Sequence, residues 1–237
     1  MTDTRHPYTV RRSDRARRAR LTVTEDGEAI VVLPRRAALA EAATLVERHA
    51  AWLERHLGRV HAERALLASR PRLGEGRVIL VDGEPLRVSA VDGAARRPPR
   101  GRVERLPGQL IVRLGRDGRG PEALLDAWLR GVARQVISRR VVERALEMGV
   151  QPGRITIRDQ SSRWASASGS GALSFSWRLV LAPPHVLDAV VVHELAHLRY
   201  RGHGPRFWSL VGRHAPRTPE ARRWLRAHSR EVRAALD

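Results

Sequence analysis

The chain is 237 residues long, contains no cysteine, and carries a formal net charge of +19, its 44 basic residues all being arginine. That length can bury a core in one large domain or two small ones. Disulfides and thiolate metal sites are excluded, which leaves histidine and carboxylate as the strong metal ligands. No stretch approaches the roughly 20 apolar residues needed to span a bilayer. The N-terminal MTDTRHPYTVRRSDRARRAR has no apolar run behind its basic residues, so an unexported, cytoplasmic protein is expected. The arginines run evenly along the chain instead of clustering with aromatics, which reads as solvated faces of an arginine-rich composition. Nucleic acid stays open as a partner through charge alone.

Residues 8–33 hold two β-like runs around the turn EDGE, with alternation in RLTVT and an apolar run in AIVVL, and a hairpin is expected. Beyond Pro34, Leu39, Ala43, Val46, Ala50, Leu53, Leu57 and Val60 recur at steps of three and four and predict one long amphipathic helix. Residues 73–115 return to β runs, RVILVDGEPLRVSAV and QLIVRL, parted by the exposed loop AARRPPRG. Pro121 suits a first helical turn, and the stripe Leu124, Trp128, Val132, Val136 and Leu146 predicts a helix over about 121–148, stopped at MGVQPG. RITIRD and ALSFSWRLVLAP read as strands flanking the small, polar QSSRWASASGSG. The second of these, directly before the next helix, is expected to be a sheet edge able to receive an added strand. The prolines of APPH end it and open the helix HVLDAVVVHELAHLRYR; PRFWSLVGRHAP and TPEARRWLRAHSREVRAAL follow as helices, the last with Thr218, Pro219 and Glu220 in capping order. The class is α+β: a β-rich part with one long helix at 1–117, then a domain at 118–237 with a helix next to a short mixed sheet.

Three of the ten histidines and one glutamate fall within VVHELAHLRYRGHG, residues 191–204. Side chains four apart share a helix face, so His193 and His197 can offer two imidazoles to one ion. Glu194 can reach a water on that ion without being a ligand. A single zinc ion with three protein ligands and an open position brings its water's pKa towards neutrality, and a neighbouring carboxylate can take the proton. Peptide hydrolysis is the reaction this pattern serves best. Gly202, a residue that ends helices readily, would turn the chain back so that His203 supplies the third ligand; Glu220, further along, is its rival. The bland alternative makes the histidines plain hydrogen-bonding residues on a partly exposed face, and the apolar AVVV before His193 weighs against it. Tyr200 stands where metzincins carry glycine, and Met1 and Met148 offer no methionine turn, which argues against that family. Trp164, Phe207 and Trp208 read as core. Tyr200, His214 and Arg163 are candidates for stabilising an oxyanion, while His49, His56, His61 and His185 read as structural.

RWASAS, followed by LSFSWRLVLAPPHVLDAVVVHELAHLRYRGHGPRFWSLVGRHAP, resembles the YgjP-like metallopeptidase family, with its Arg-Trp-Gly-Ser-Cys-Ser stretch, strand leading to a proline, His-Glu-Leu-x-His helix and Asn-His-Ser-x-x-Phe-Trp segment. The N-terminal arginine pairs, EDGEAIVVLP and the helix bearing Trp52 are also similar, and the likeness is most specific from Arg163 to Trp208. Ala165 and Ala167 stand where the family has glycine and cysteine, Ser176 where asparagine is common, and Gly202-His203-Gly204 where Asn-His-Ser is common. The resemblance implies a small zincin-like catalytic domain, a metal held by His193, His197 and His203, and Glu194 as general base. The expected activity is zinc-dependent hydrolysis of peptide or protein. Two alternatives draw on the basic charge: a DNA-associated protease, whose His-Glu-x-x-His-x5-His spacing is similar, and a nucleic-acid-binding protein without turnover.

Overall fold

The computed structural model describes residues 6–24, 26–71, 73–93, 97–160 and 163–236. Residues 1–5, Glu25 of the expected turn, 94–96 of the expected loop and 161–162 of the polar segment lie outside them. The chain divides into two compact units, Met1–Arg70 and Pro71–Asp237.

In the first unit β1 (Tyr8–Ser13), β2 (Arg20–Val23) and β3 (Ala29–Pro34) form a sheet of order β1-β3-β2. β2 and β3 make the expected antiparallel hairpin, and β1 lies parallel to β3. Ala29, Val31 and Leu33 are buried against Ala42 and Val46 of α1 (Ala40–Arg48) and Leu53 of α2 (Ala50–Ala68). The single helix expected here is therefore two. His49, at φ −110° and ψ 17°, leaves helical geometry, although its N–H still reaches the carbonyls of Leu45 and Val46.

The second unit opens with β4 (Glu75–Val81), β5 (Glu84–Val91), β6 (Arg102–Leu106) and β7 (Gln109–Arg113), in the order β4-β5-β7-β6. Val81, Leu86, Val88, Leu110 and Val112 are buried in one core with Leu125, Leu129, Ala133 and Ile137 of α3 (Pro121–Met148). The boundary expected at 117/118 thus falls inside this unit, because the apolar face of that sheet needs a cover and α3 provides it. α3 has the predicted extent, with Pro121 in its first turn and Gly149 capping it at φ 60°, the left-handed region glycine enters without cost. Leu124 of the expected stripe is buried and Trp128, Val132 and Val136 pack half-buried against the core, while Leu146 is 78% exposed; the fully buried row beside them is Leu125, Leu129, Ala133, Ile137, Val141 and Ala145.

A small mixed sheet follows: β8 (Ile155–Arg158), β9 (Ala165–Ala167) and β10 (Leu173–Ser176), in the order β8-β10-β9. The strand expected over ALSFSWRLVLAP is only its first half; Trp177–Leu181 forms a buried 3₁₀ turn instead. β10 is paired on both sides, parallel to β8 and antiparallel to β9, so it cannot be the receptive edge strand. The edges are β8 and β9, and β9, the one beside α4, lies within the segment read as a polar connection. Cross-strand partners share a face, so Thr156, Ser174 and Ser166 line the outside of the sheet while Leu173 and Phe175 are buried beneath it.

Three helices complete the unit: α4 (Pro184–Ala196), α5 (Pro205–His214) and α6 (Thr218–Arg233). Thr218 does not cap α6 as expected; its hydroxyl donates to the Ala215 carbonyl, and Glu220 pairs with Arg217. α4 is apolar on nearly every side, and Val186, Leu187, Ala189, Val191, Val192, Leu195 and Ala196 are all buried among α3, α5, α6 and β9. Its buried Asp188 accepts two hydrogen bonds from Arg144, both at 2.8 Å, and one from Arg140 at 3.0 Å, which ties α4 to α3. No helix among the described residues is long and apolar enough to cross a membrane.

Because Asp188 is nearly buried and its arginines are three-quarters buried, Asp188→Asn should lower stability by about 2 kcal/mol. Urea unfolding measures this directly. An unchanged midpoint would show that the clamp does not hold the two helices.

Candidate metal centre

Helical geometry places His193 and His197 on one side of α4, at its C-terminal end. The helix then closes in a tight turn, with the N–H groups of Leu198 and Arg199 bonding the carbonyls of Leu195 and Ala196 at 3.1 Å. The chain doubles back before α5 and brings His203 to the same place. One ring nitrogen from each of His193, His197 and His203 lies within 4.8 Å of the other two, and the Nε2 atoms of His193 and His203 are 3.1 Å apart. Tetrahedral zinc with nitrogen ligands requires neighbouring donors about 3.3 Å apart, so three neutral imidazoles at this spacing suit one such ion. Glu220 does not join them, being paired with Arg217 on α6. The reversal does not depend on Gly202 as expected: its φ is not positive, and an added Cβ there would meet nothing within 4 Å.

Two contacts orient the rings. His197 Nδ1 lies 3.1 Å from the Tyr200 carbonyl, which can only accept, so the proton sits on Nδ1 and the Nε2 lone pair is free for a metal. Phe207, wholly buried on the first turns of α5, packs beneath all three imidazoles, with ring centroids 5.0 Å from His193 and 4.7 Å from both His197 and His203. Phe207 is core, as expected, but it is also the floor of the site, a role its place in the sequence did not reveal. Burial, followed by the charges of His197, His203 and Arg222, pushes the His193 pKa down to about 4. This ring is therefore neutral at physiological pH, the form that ligates.

Glu194 is 7% exposed and stands beside the triad. Burial pushes its pKa up to about 7, opposed by a hydrogen bond from the Ala167 backbone N–H and by the charge of Arg163. A cation held by the neighbouring imidazoles would act in the same opposing direction. With alanine at 165 and 167, β9 pairs with β10 and packs beside α4.

Two recesses flank His193 and Glu194. One, of about 660 Å³, runs along β9 and contains Arg163, Arg199 and Arg201. The other, of about 350 Å³, is walled by Trp164, Val190, Trp208 and Leu225, with Arg222 lying over Trp208 at 5.1 Å. Trp164 and Trp208, expected in the core, are only half-buried here. Of the three oxyanion candidates, Arg163 lines the first recess; Tyr200 contributes its backbone carbonyl, and His214, at the end of α5, lines neither recess. His185 sits in the first turn of α4, while His49, His56 and His61 belong to the first unit.

Three converging imidazoles with a buried carboxylate next in sequence could hold a metal ion, and are the donor set that the His-Glu-x-x-His pattern requires. The chain matches the YgjP-like metallopeptidase domain over residues 17–228 and belongs to that family. Its enzyme class is accordingly metallopeptidase. Among solved structures it is similar to the metallopeptidase zymogen of Methanocaldococcus jannaschii jannalysin, at 20% identity and a TM-score of 0.35, covering 38% of this chain and 92% of that one. No curated protein matches it.

His203→Ala should bind zinc at least about tenfold more weakly, while Glu220→Ala should retain it, as elemental mass spectrometry of the purified variants would show. Retention by His203→Ala together with loss from Glu220→Ala would reverse the assignment. Gly202→Ala should leave stability within about 0.5 kcal/mol of the parent in thermal unfolding; a larger loss would mean that the turn does need glycine.

Proposed function

We propose that the protein is a zinc metallopeptidase in which His193, His197 and His203 hold the ion and Glu194 is the general base. The observation that carries this reading is the meeting of the three imidazoles beside a buried carboxylate, on the floor of an open cleft. Zinc held by three imidazoles supplies Lewis acidity that polarises a carbonyl and acidifies water.

The chain's own residues do the rest. Glu194 takes the proton of the attacking water and passes it to the departing amine. Its burial among apolar groups keeps its basicity well above that of an exposed glutamate, which suits both transfers. The Ala167 main chain beside it partly offsets the effect of burial on its pKa. Arg163, in the cleft wall, is the group we assign to the developing oxyanion, since neither Tyr200 nor His214 lines the cleft. The free edge of β9 offers main-chain groups to an extended substrate, which would add to it as a strand.

Glu194→Gln should retain zinc and lose peptide hydrolysis by about a hundredfold or more, because the amide cannot accept the proton. His197→Ala should lose both. A fluorogenic peptide assay run beside metal analysis separates the two effects, and hydrolysis by Glu194→Gln at the parent's rate would remove Glu194 from the mechanism.

A further inference from the structure

The two recesses beside the metal site differ in chemistry, and the larger continues further than the catalytic groups require. Arg163, Arg199 and Arg201 line it, and Glu194 is the sole carboxylate in its wall among the described residues. Past Ser166 and Ser168 it runs onto the outer face of the β8-β10-β9 sheet, into a second concavity of about 470 Å³. Thr156, Ser166 and Ser174 floor this extension, and Arg154 and Arg158 border it. Arg163, Ser166, Ala167 and Ser168 belong to both spaces, which adjoin there and are taken together as one arginine-lined channel.

The five arginines of this channel form no ion pair with a carboxylate among the described residues. Arg140 and Arg144 pair with Asp188, and Arg130 and Arg178 with Asp159, whereas these five converge on one concave space with their charge uncompensated there. A cleft lined by one sign of charge focuses potential and draws in the opposite charge. Guanidinium groups match carboxylates in fork geometry; on the floor Ser174 accepts from Gln160 and keeps its own proton to donate, while the Thr156 hydroxyl already donates to the Leu173 carbonyl. Nucleic acid would also answer the charge, but single strands are held in such grooves by stacking on aromatic side chains. The channel has no phenylalanine, tyrosine or tryptophan in its wall; Trp164 and Trp208 line the opposite recess.

We propose that this channel selects acidic polypeptide, so that substrates carry aspartate or glutamate on one side of the scissile bond, lying over Arg163, Arg199 and Arg201 and reaching Arg154 and Arg158. The proposal rests on the peptidase reading for its location, since a chain cleaved beside Glu194 must leave along one of the two recesses.

The test uses the zinc-loaded full chain and two peptides identical except that a run of glutamates on one side of the scissile bond is replaced by glutamines. The glutamate peptide should be cleaved with kcat/KM at least about tenfold higher at low ionic strength, with the ratio shrinking as salt is raised. Arg158→Glu and Arg201→Glu, both on exposed side chains, should bring the ratio to one or below. Fluorescence anisotropy of both peptides on zinc-loaded Glu194→Gln reads the same preference without turnover. Absence of cleavage of either peptide would count against the peptidase reading alone, and the binding ratio would still decide the channel. Equal binding of the two peptides overturns the proposal. So does displacement of the labelled glutamate peptide by oligothymidylate at lower concentration than by its own unlabelled form, which would reassign the channel to nucleic acid.

Discussion

Everything around the metal site follows from the fact that α4 has almost no face for water. A helix apolar on all sides is stable only when surrounded, and each element of the second unit that touches it supplies part of that enclosure. Burial on this scale brings a difficulty, because the helix also carries Asp188 and Glu194. Asp188 is matched by two arginines from α3 and so becomes a fastening. Glu194 has no such partner; it receives one backbone N–H and the more distant charge of Arg163, and its carboxylate stays basic. Two buried acids six residues apart on one helix thus have opposite characters, set by what faces them.

The three imidazoles are held from below and from one side. Phe207 gives them a flat, apolar seat, and the Tyr200 carbonyl fixes the tautomer of His197. Both contacts restrain the rings, which lowers the ordering entropy that opposes binding.

Local signals were the legible ones. The spacing of His193 and His197 is a property of a single helix turn, and proline and glycine marked both ends of α3 where they occur. What escaped the sequence depends on partners distant along it. β9 is Ala-Ser-Ala, with no β-branched or aromatic residue, and is a strand only because β10 pairs with it. The fully buried row of α3 runs beside the expected one, which also touches the core at Leu124, Trp128, Val132 and Val136, because both rows are apolar and periodicity cannot rank them. The unit boundary moved for the same reason: nothing within residues 75–113 announces that their apolar face will be covered by α3. The meeting of His203 with the other two was readable from spacing, while Phe207 beneath them was not.

Beside the charge of Arg163, what opposes the effect of burial on Glu194 is the main chain of Ala167. In the proposed function, proton transfer and substrate selection would therefore fall to different parts of the same strand. The backbone of β9 serves the base, and its outward side chain, Ser166, faces the arginine channel. Side chains along this edge could change and alter the shape of the cleft while the main chain beside Glu194 stayed the same. The division gives such a centre room to diverge in what it cuts without relearning how to cut.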